Sequence, residues 1–166
     1  MDRMYTQEEK EHFMKEALKE AINAYNIDEV PIGAVVVHDG KIIGRRYNQR
    51  EITNRAITHA EIMAIDEANS FLSNWRLEDC ALFVTVEPCV MCSGAIVQSR
   101  IPNVYYGTAD YKGGTAGTLM NLLQQEDFNH QSEVEAGVLE EECKELLTRF
   151  FKELREKRKA EKNELV

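Results

Sequence analysis

The chain has 166 residues, 43% of them hydrophobic and 30% charged, which suits one globular domain over 1–166 and excludes a two-domain enzyme or wholesale disorder. Twenty Lys and Arg against 29 Asp and Glu leave a net charge of −9, opposite in sign to the usual nucleic-acid footprint, so a polyanionic partner must dock on a local basic patch. The first thirty residues hold no apolar signal segment, and the longest apolar run, 30–37, is too short to span a bilayer. Four cysteines are too few for a disulfide scaffold and favour a reducing cytoplasm.

Thr6-Gln7-Glu8-Glu9 has the form of a capping box, and Phe13, Met14, Ala17, Leu18, Ala21, Ala24 and Tyr25 follow at spacings of three and four, predicting an amphipathic helix over about 7–25. β-Branched runs over 32–37 and 41–47 flank His38-Asp39-Gly40, where Asp-Gly supplies the positive φ of a hairpin turn. A polar loop over 48–58 leads to an Ala-rich helix over 59–69, with Thr58 as its expected N-cap. The uniformly apolar run 81–86 reads as a strand covered on both faces, and Pro88 opens a helix to about Ser99. Then follow a strand over 103–107, a glycine-rich loop over 108–118, a short helix over 119–124 and a short fifth strand over 133–136. A helix over about 139–159 closes the chain, with Leu146, Leu147, Phe150, Phe151 and Leu154 inward. Strand and helix alternating after a hairpin imply a three-layer α/β class, a mixed five-stranded sheet with helices on both faces.

Two pieces carry chemistry: His59-Ala60-Glu61 and Pro88-Cys89-Val90-Met91-Cys92, each at a helix N-terminus that follows a strand, the usual location of a site in α/β sheets. Cys89 and Cys92, three apart, share a helical face, and first-turn N–H groups favour the thiolates that a metal requires. Two cysteines and His59 make three ligands, which leaves a zinc ion its fourth position for water, a catalytic form of site. His59 and Glu61 diverge along a helix, so they converge only if that helix meets the metal end-on. A lone Cys-x-x-Cys also suits a redox pair, which gives His59 and Glu61 no role, or a four-ligand structural site, for which the sequence offers no supported fourth ligand.

His-x-Glu followed by Pro-Cys-x-x-Cys is the signature of zinc nucleobase deaminases. Val30 to Val35, Thr58 to Glu61, Thr85 to Ala95, Ser99-Arg100-Ile101, the glycine loop with Asp110, Lys112, Gly113 and Gly117, the segment 119–123 and Asn129-His130 together resemble the bacterial tRNA adenosine deaminases of the cytidine/deoxycytidylate deaminase superfamily, over about residues 8 to 155. The resemblance implies a cytidine-deaminase-like α/β/α fold and hydrolytic deamination of the wobble adenosine, position 34, of a tRNA anticodon to inosine. It also implies one zinc per chain and a homodimer built partly on the helix that follows Pro88. In that chemistry water activated at the zinc attacks C6 of adenine, and Glu61, not itself a ligand, protonates N1 and carries a proton to departing ammonia. Asn48, Asp110, Lys112 and Asn129 are implied contacts to the target nucleotide or its neighbours. Ala109 stands where relatives often carry a polar or charged residue.

Without the resemblance, Asn48, Asp110 and Asn129 read as strand-ending and turn residues, Trp75 as core or interface packing, and Cys80 and Cys143 as buried thiols. Two alternatives stay open: a deaminase of a free base or nucleotide such as cytosine or guanine, and a nonenzymatic zinc-stabilised RNA-binding module. From Lys144 to Lys162 eight basic residues face four glutamates, a local excess of +4 suited to an anticodon arm, whereas 126–142 holds seven acids and no Lys or Arg. Cations near a helix C-terminus also complement its dipole, so helix chemistry alone does not decide their purpose.

Overall fold

The computed structural model describes residues 4–165; residues 1–3 and 166 of the expected domain lie outside the described part. The elements run α1 (Gln7–Tyr25), β1 (Gly33–His38), β2 (Lys41–Tyr47), α2 (Arg50–Thr53), α3 (Ala60–Leu72), β3 (Cys80–Val86), α4 (Val90–Ser99), β4 (Asn103–Thr108), a 3₁₀ turn (Leu122–Gln124), β5 (Glu133–Glu135) and α5 (Glu140–Glu164). The sheet order is β2-β1-β3-β4-β5, antiparallel across β2/β1/β3 and parallel across β3/β4/β5. It is the mixed five-stranded sheet that the strand and helix pattern predicts.

The period of two in β1 and β3 sorts their side chains between two cores. Val35, Val37, Ala81 and Phe83 face α1 and α5 with Phe13, Met14, Ala17 and Cys143, while Ala34, Val36, Leu82 and Val84 face α3 and α4 with Ala64, Ala68, Ile96 and Val97. Phe83 stacks on Tyr105 with ring centroids 4.6 Å apart, and Tyr5 meets both edge-on. α1 starts at the expected capping box: Thr6 Oγ1 accepts from the Glu9 N–H and Glu9 Oε1 accepts from the Thr6 N–H. Gly33 lies so close under α1 that a Cβ there would collide with the Ala17 carbonyl, which explains a glycine at the head of a buried strand.

Strand direction places the site. β1 is antiparallel to both β2 and β3, so β2, β3 and β4 all end at one edge of the sheet. α3 follows β2 and α4 follows β3, so both helix N-termini meet at that edge, and the loop after β4 arrives there too.

Several local expectations are corrected. The loop over 48–58 contains the four-residue α2, too short to show a period. α3 is capped at His59 rather than Thr58, whose hydroxyl donates to the Arg55 carbonyl. Only 122–124 of the expected 119–124 helix is helical, because Gly117 and Asn121 are tied into the preceding turn. α5 runs past 159 to Glu164, with Leu146 and Phe150 buried but Phe151 40% exposed. Trp75 is 52% exposed, with the Arg76 and Arg100 guanidinia 4.3 and 5.8 Å from its ring centroid.

Candidate active site

His59 is the N-cap of α3, in extended conformation (φ −76°, ψ 151°), and Cys89 is the N-cap of α4 (φ −78°, ψ 179°); neither side chain caps its own helix. The extended backbone at His59 resolves the spacing problem: its imidazole leaves the helix end, and Glu61, the second residue of α3, lines the same cavity. His59 Nδ1 lies 3.6 Å from Cys89 Sγ and 3.6 Å from Cys92 Sγ. Zn–S and Zn–N bonds of about 2.3 and 2.05 Å at a tetrahedral angle put sulfur and nitrogen about 3.6 Å apart. The three groups, all within 4.8 Å of one another, are therefore spaced to hold one zinc ion and to leave a fourth direction open.

The electrostatics agree. A hydrogen bond with Cys92, and then one with His59, hold the Cys89 thiol down to about 4. Cys92 is pushed up by its bond to Cys89 and by burial, so one thiolate is preformed and the second proton leaves as a cation arrives. Burial pushes the Glu61 carboxyl up to about 7, with the nearby Cys89 adding to it. The remaining thiols have no such setting: burial raises Cys80 to about 11 and Cys143 to about 12. Cys80 stands at the far end of β3 beside His38, at the edge opposite the site.

Glu61, His59 and Cys89 open on a cavity of about 240 Å³ whose wall also includes Val30, Ile32, Asn48, Arg50, Glu87 and Asp110. Of the four expected nucleotide contacts, the structure thus brings Asn48 and Asp110 to the cavity. The buried Asn48 donates to the Val30 carbonyl and to Glu29 Oε2 at 3.2 and 3.5 Å and accepts from the Arg50 N–H, so its amide is held by the protein. Asp110 Oδ1 accepts from the N–H groups of Lys112 and Gly113, turning the loop back on itself, while the Lys112 residue is exposed. Asn129 does not line this cavity. It lines a neighbouring hollow of about 490 Å³ on the outer face of α4, with Val90, Gly94, Arg100 and Phe128.

Sequence reasoning gave no role to two acids that the structure buries at this edge. Glu29, 1% exposed, accepts from Asn48 Nδ2 and the Ile52 N–H. Glu87, 3% exposed, accepts from four donors of the loop that carries Asp110. A signal was present for Glu87 alone, since an acid directly after a fully buried strand requires an internal partner.

Comparison with known proteins gives concordant matches. The MafB19-like deaminase family profile matches residues 8–155. The tRNA-specific adenosine deaminase of Bacillus subtilis (strain 168) is 57% identical over 155 residues, covering 93% of this chain and 96% of that protein. A solved structure from work on A-to-I editing by tRNA:A34 deaminases at the wobble position of transfer RNA superposes with a TM-score of 0.79 at 43% identity, covering 82% of this chain and 99% of that one. The guanine deaminase of Bacillus subtilis is more distant, with a TM-score of 0.58 at 32% identity over 74% of this chain and 83% of that one. Sequence identity along nearly the whole length, a shared fold and a three-ligand group at the shared edge lead to one conclusion: the chain belongs to the tRNA-specific adenosine deaminase family.

Proposed function

We propose that this chain, as one deaminase domain, hydrolyses adenosine to inosine at the wobble position, position 34, of a tRNA anticodon. The observation that carries the reading is a buried carboxyl, Glu61, set beside a His59-Cys89-Cys92 group with tetrahedral zinc spacing at the wall of a cavity. A zinc ion held there would supply Lewis acidity and a water whose pKa falls to about 7.

The remaining work belongs to the chain. Glu61, poised near neutrality by burial, takes one proton from the incoming water and gives it to adenine N1, then takes the second from the hydroxyl added at C6 and delivers it to the amino group that leaves as ammonia, so that it ends as it began. His59 is held by both sulfurs and so keeps Nδ1 toward the metal position. Asn48 and Asp110 meet the target nucleotide from opposite loops, and Lys112 contacts its flank. Loop bases suit such a cavity because they splay out without the few kcal/mol that extrusion from a duplex costs.

We place a homodimer contact on the outer face of α4, where Val90 is 64% exposed and a Cβ at Gly94 would meet nothing within 4 Å. Asn129 then stands at the subunit boundary. No helix among the described residues is long and apolar enough to cross a membrane, and a tRNA-modifying role sets the chain to work in the cytoplasm.

Incubating the zinc-loaded protein with an anticodon arm bearing adenosine at the wobble position, then digesting to nucleosides, should yield inosine. Faster turnover of free guanine or cytosine than of the arm would instead favour a free-base deaminase. Zinc binding and RNA binding with no turnover at all would favour the nonenzymatic module.

A further inference from the structure

We propose that Glu87 is a positioning residue: its buried carboxylate holds the 109–118 loop in the conformation that presents Asp110 at the cavity wall. The proposal rests on reading Asp110 as a nucleotide contact. Glu87 sits between the end of β3 and Pro88, so its backbone is fixed by the sheet on one side and by the Cys89 helix start on the other. Its N–H donates to the Thr108 carbonyl at the end of β4, which secures the residue itself.

The carboxylate then reaches across to the loop. Oε1 accepts from the Asp110 N–H at 3.1 Å and from the Thr118 hydroxyl, and Oε2 accepts from the N–H groups of Ala116 and Thr118 at 3.0 and 3.1 Å. All four donors are neutral. Burying a carboxylate among neutral groups is costly unless its lone pairs are filled, and only an acceptor-only group satisfies four converging donors, since an amide would turn N–H toward N–H. The loop is shaped to allow it: a Cβ on Gly114 would collide with the Glu87 carboxyl group and approach the Asp110 carbonyl to 2.6 Å. Both ends of the loop, at Asp110 and at Thr118, are thereby tied to one side chain two residues from Cys89.

The test uses zinc-loaded Glu87→Gln, which keeps the shape and one acceptor. Backbone amide exchange at Asp110, Ala116 and Thr118 should quicken by about tenfold or more, as expected for losing a charge-assisted bond, while β1 and α1 exchange at the wild-type rate. With the anticodon arm, KM should rise about tenfold and kcat stay within about twofold, because a contact made equally in ground and transition states affects KM alone. Destabilisation by itself would lower the active fraction, and with it kcat, at unchanged KM. Asp110→Ala should raise KM in the wild type and add little in the Glu87→Gln background.

If Glu87→Gln does not fold, Thr118→Val removes one of the four donors from the loop side and should shift exchange and KM in the same direction. Wild-type exchange across 109–118 in the variant overturns the proposal, as does faster exchange with a fall in kcat and no change in KM. If the wild-type protein itself fails to deaminate the arm, the functional reading falls, and loop exchange still decides whether Glu87 anchors the loop.

Discussion

At the scale of single residues, the site depends on two N-cap positions that forgo their usual duty. Ser, Thr, Asp or Asn at an N-cap contributes about 1 kcal/mol to a helix, and His59 and Cys89 give that up, leaving first-turn N–H groups turned toward the metal position. Cys89→Ser therefore installs a better cap while removing a ligand. It should leave α4 intact yet strip the zinc, as should Cys92→Ser, whereas Glu61→Gln should keep one zinc per chain and lose at least about 10²-fold in deamination. Metal analysis beside an inosine assay checks the set. Full zinc retention in both cysteine variants would sink the ligand assignment, and normal turnover of Glu61→Gln the proton-transfer role.

At the scale of elements, α5 carries the charge question. Its first half buries Cys143 against the sheet, Phe150 against Tyr25 of α1, and Leu146, while Arg155, Arg158, Lys159 and Lys162 are exposed and Lys157 makes a 2.9 Å ion pair with exposed Asp28. Exposed pairs add little stability. Ending the chain after Leu154 should thus leave folding and zinc content intact, weaken tRNA binding and lower the slope of log affinity against log salt by roughly 1 to 2, one or two phosphate contacts. Unchanged affinity and slope would return the end of α5 to a solvated helix and direct attention to Lys112 and Arg100. α5 also shows what a sequence conveys. Its apolar period, the capping box of α1 and the alternating or uniformly apolar strands are local signals, and they located every strand and long helix. The His-x-Glu and Pro-Cys-x-x-Cys pieces were equally legible because helix N-termini have local signatures. α2, at four residues, has no period to detect. Glu29 and Glu87 escaped because their partners, Ile52 and the 110–118 loop, are brought to them only by the sheet.

At the scale of the whole molecule, a zinc ion would join the N-termini of α3 and α4, thirty residues apart in sequence, across the end of the sheet. A ligand that binds only the folded state stabilises it by RT ln(1 + [L]/Kd), about 4 kcal/mol at a thousandfold excess over Kd. At roughly 2 to 4 °C per kcal/mol for a chain of this size, chelation should lower Tm by about 10 °C. Cys92→Ser should melt at the same temperature with and without chelator. An unchanged wild-type Tm after verified zinc removal would mean that the ion does not bind the folded state in preference to the unfolded chain, and would count against a zinc site joining the two helices.

The direction of α1 has a practical consequence. Its 19 residues extend about 28 Å, from the capping box at Thr6 to Tyr25, shortly before Val30 and Ile32 enter the cavity wall, and α5 passes that same end where Lys157 meets Asp28. A fluorophore, a surface tether or a fused cargo attached ahead of Thr6 would hang a helix length from the cavity mouth and leave a bulky RNA room to approach. The same attachment beyond Glu164 would extend from the end of α5 that has already passed Asp28, two residues before Val30 at the cavity wall.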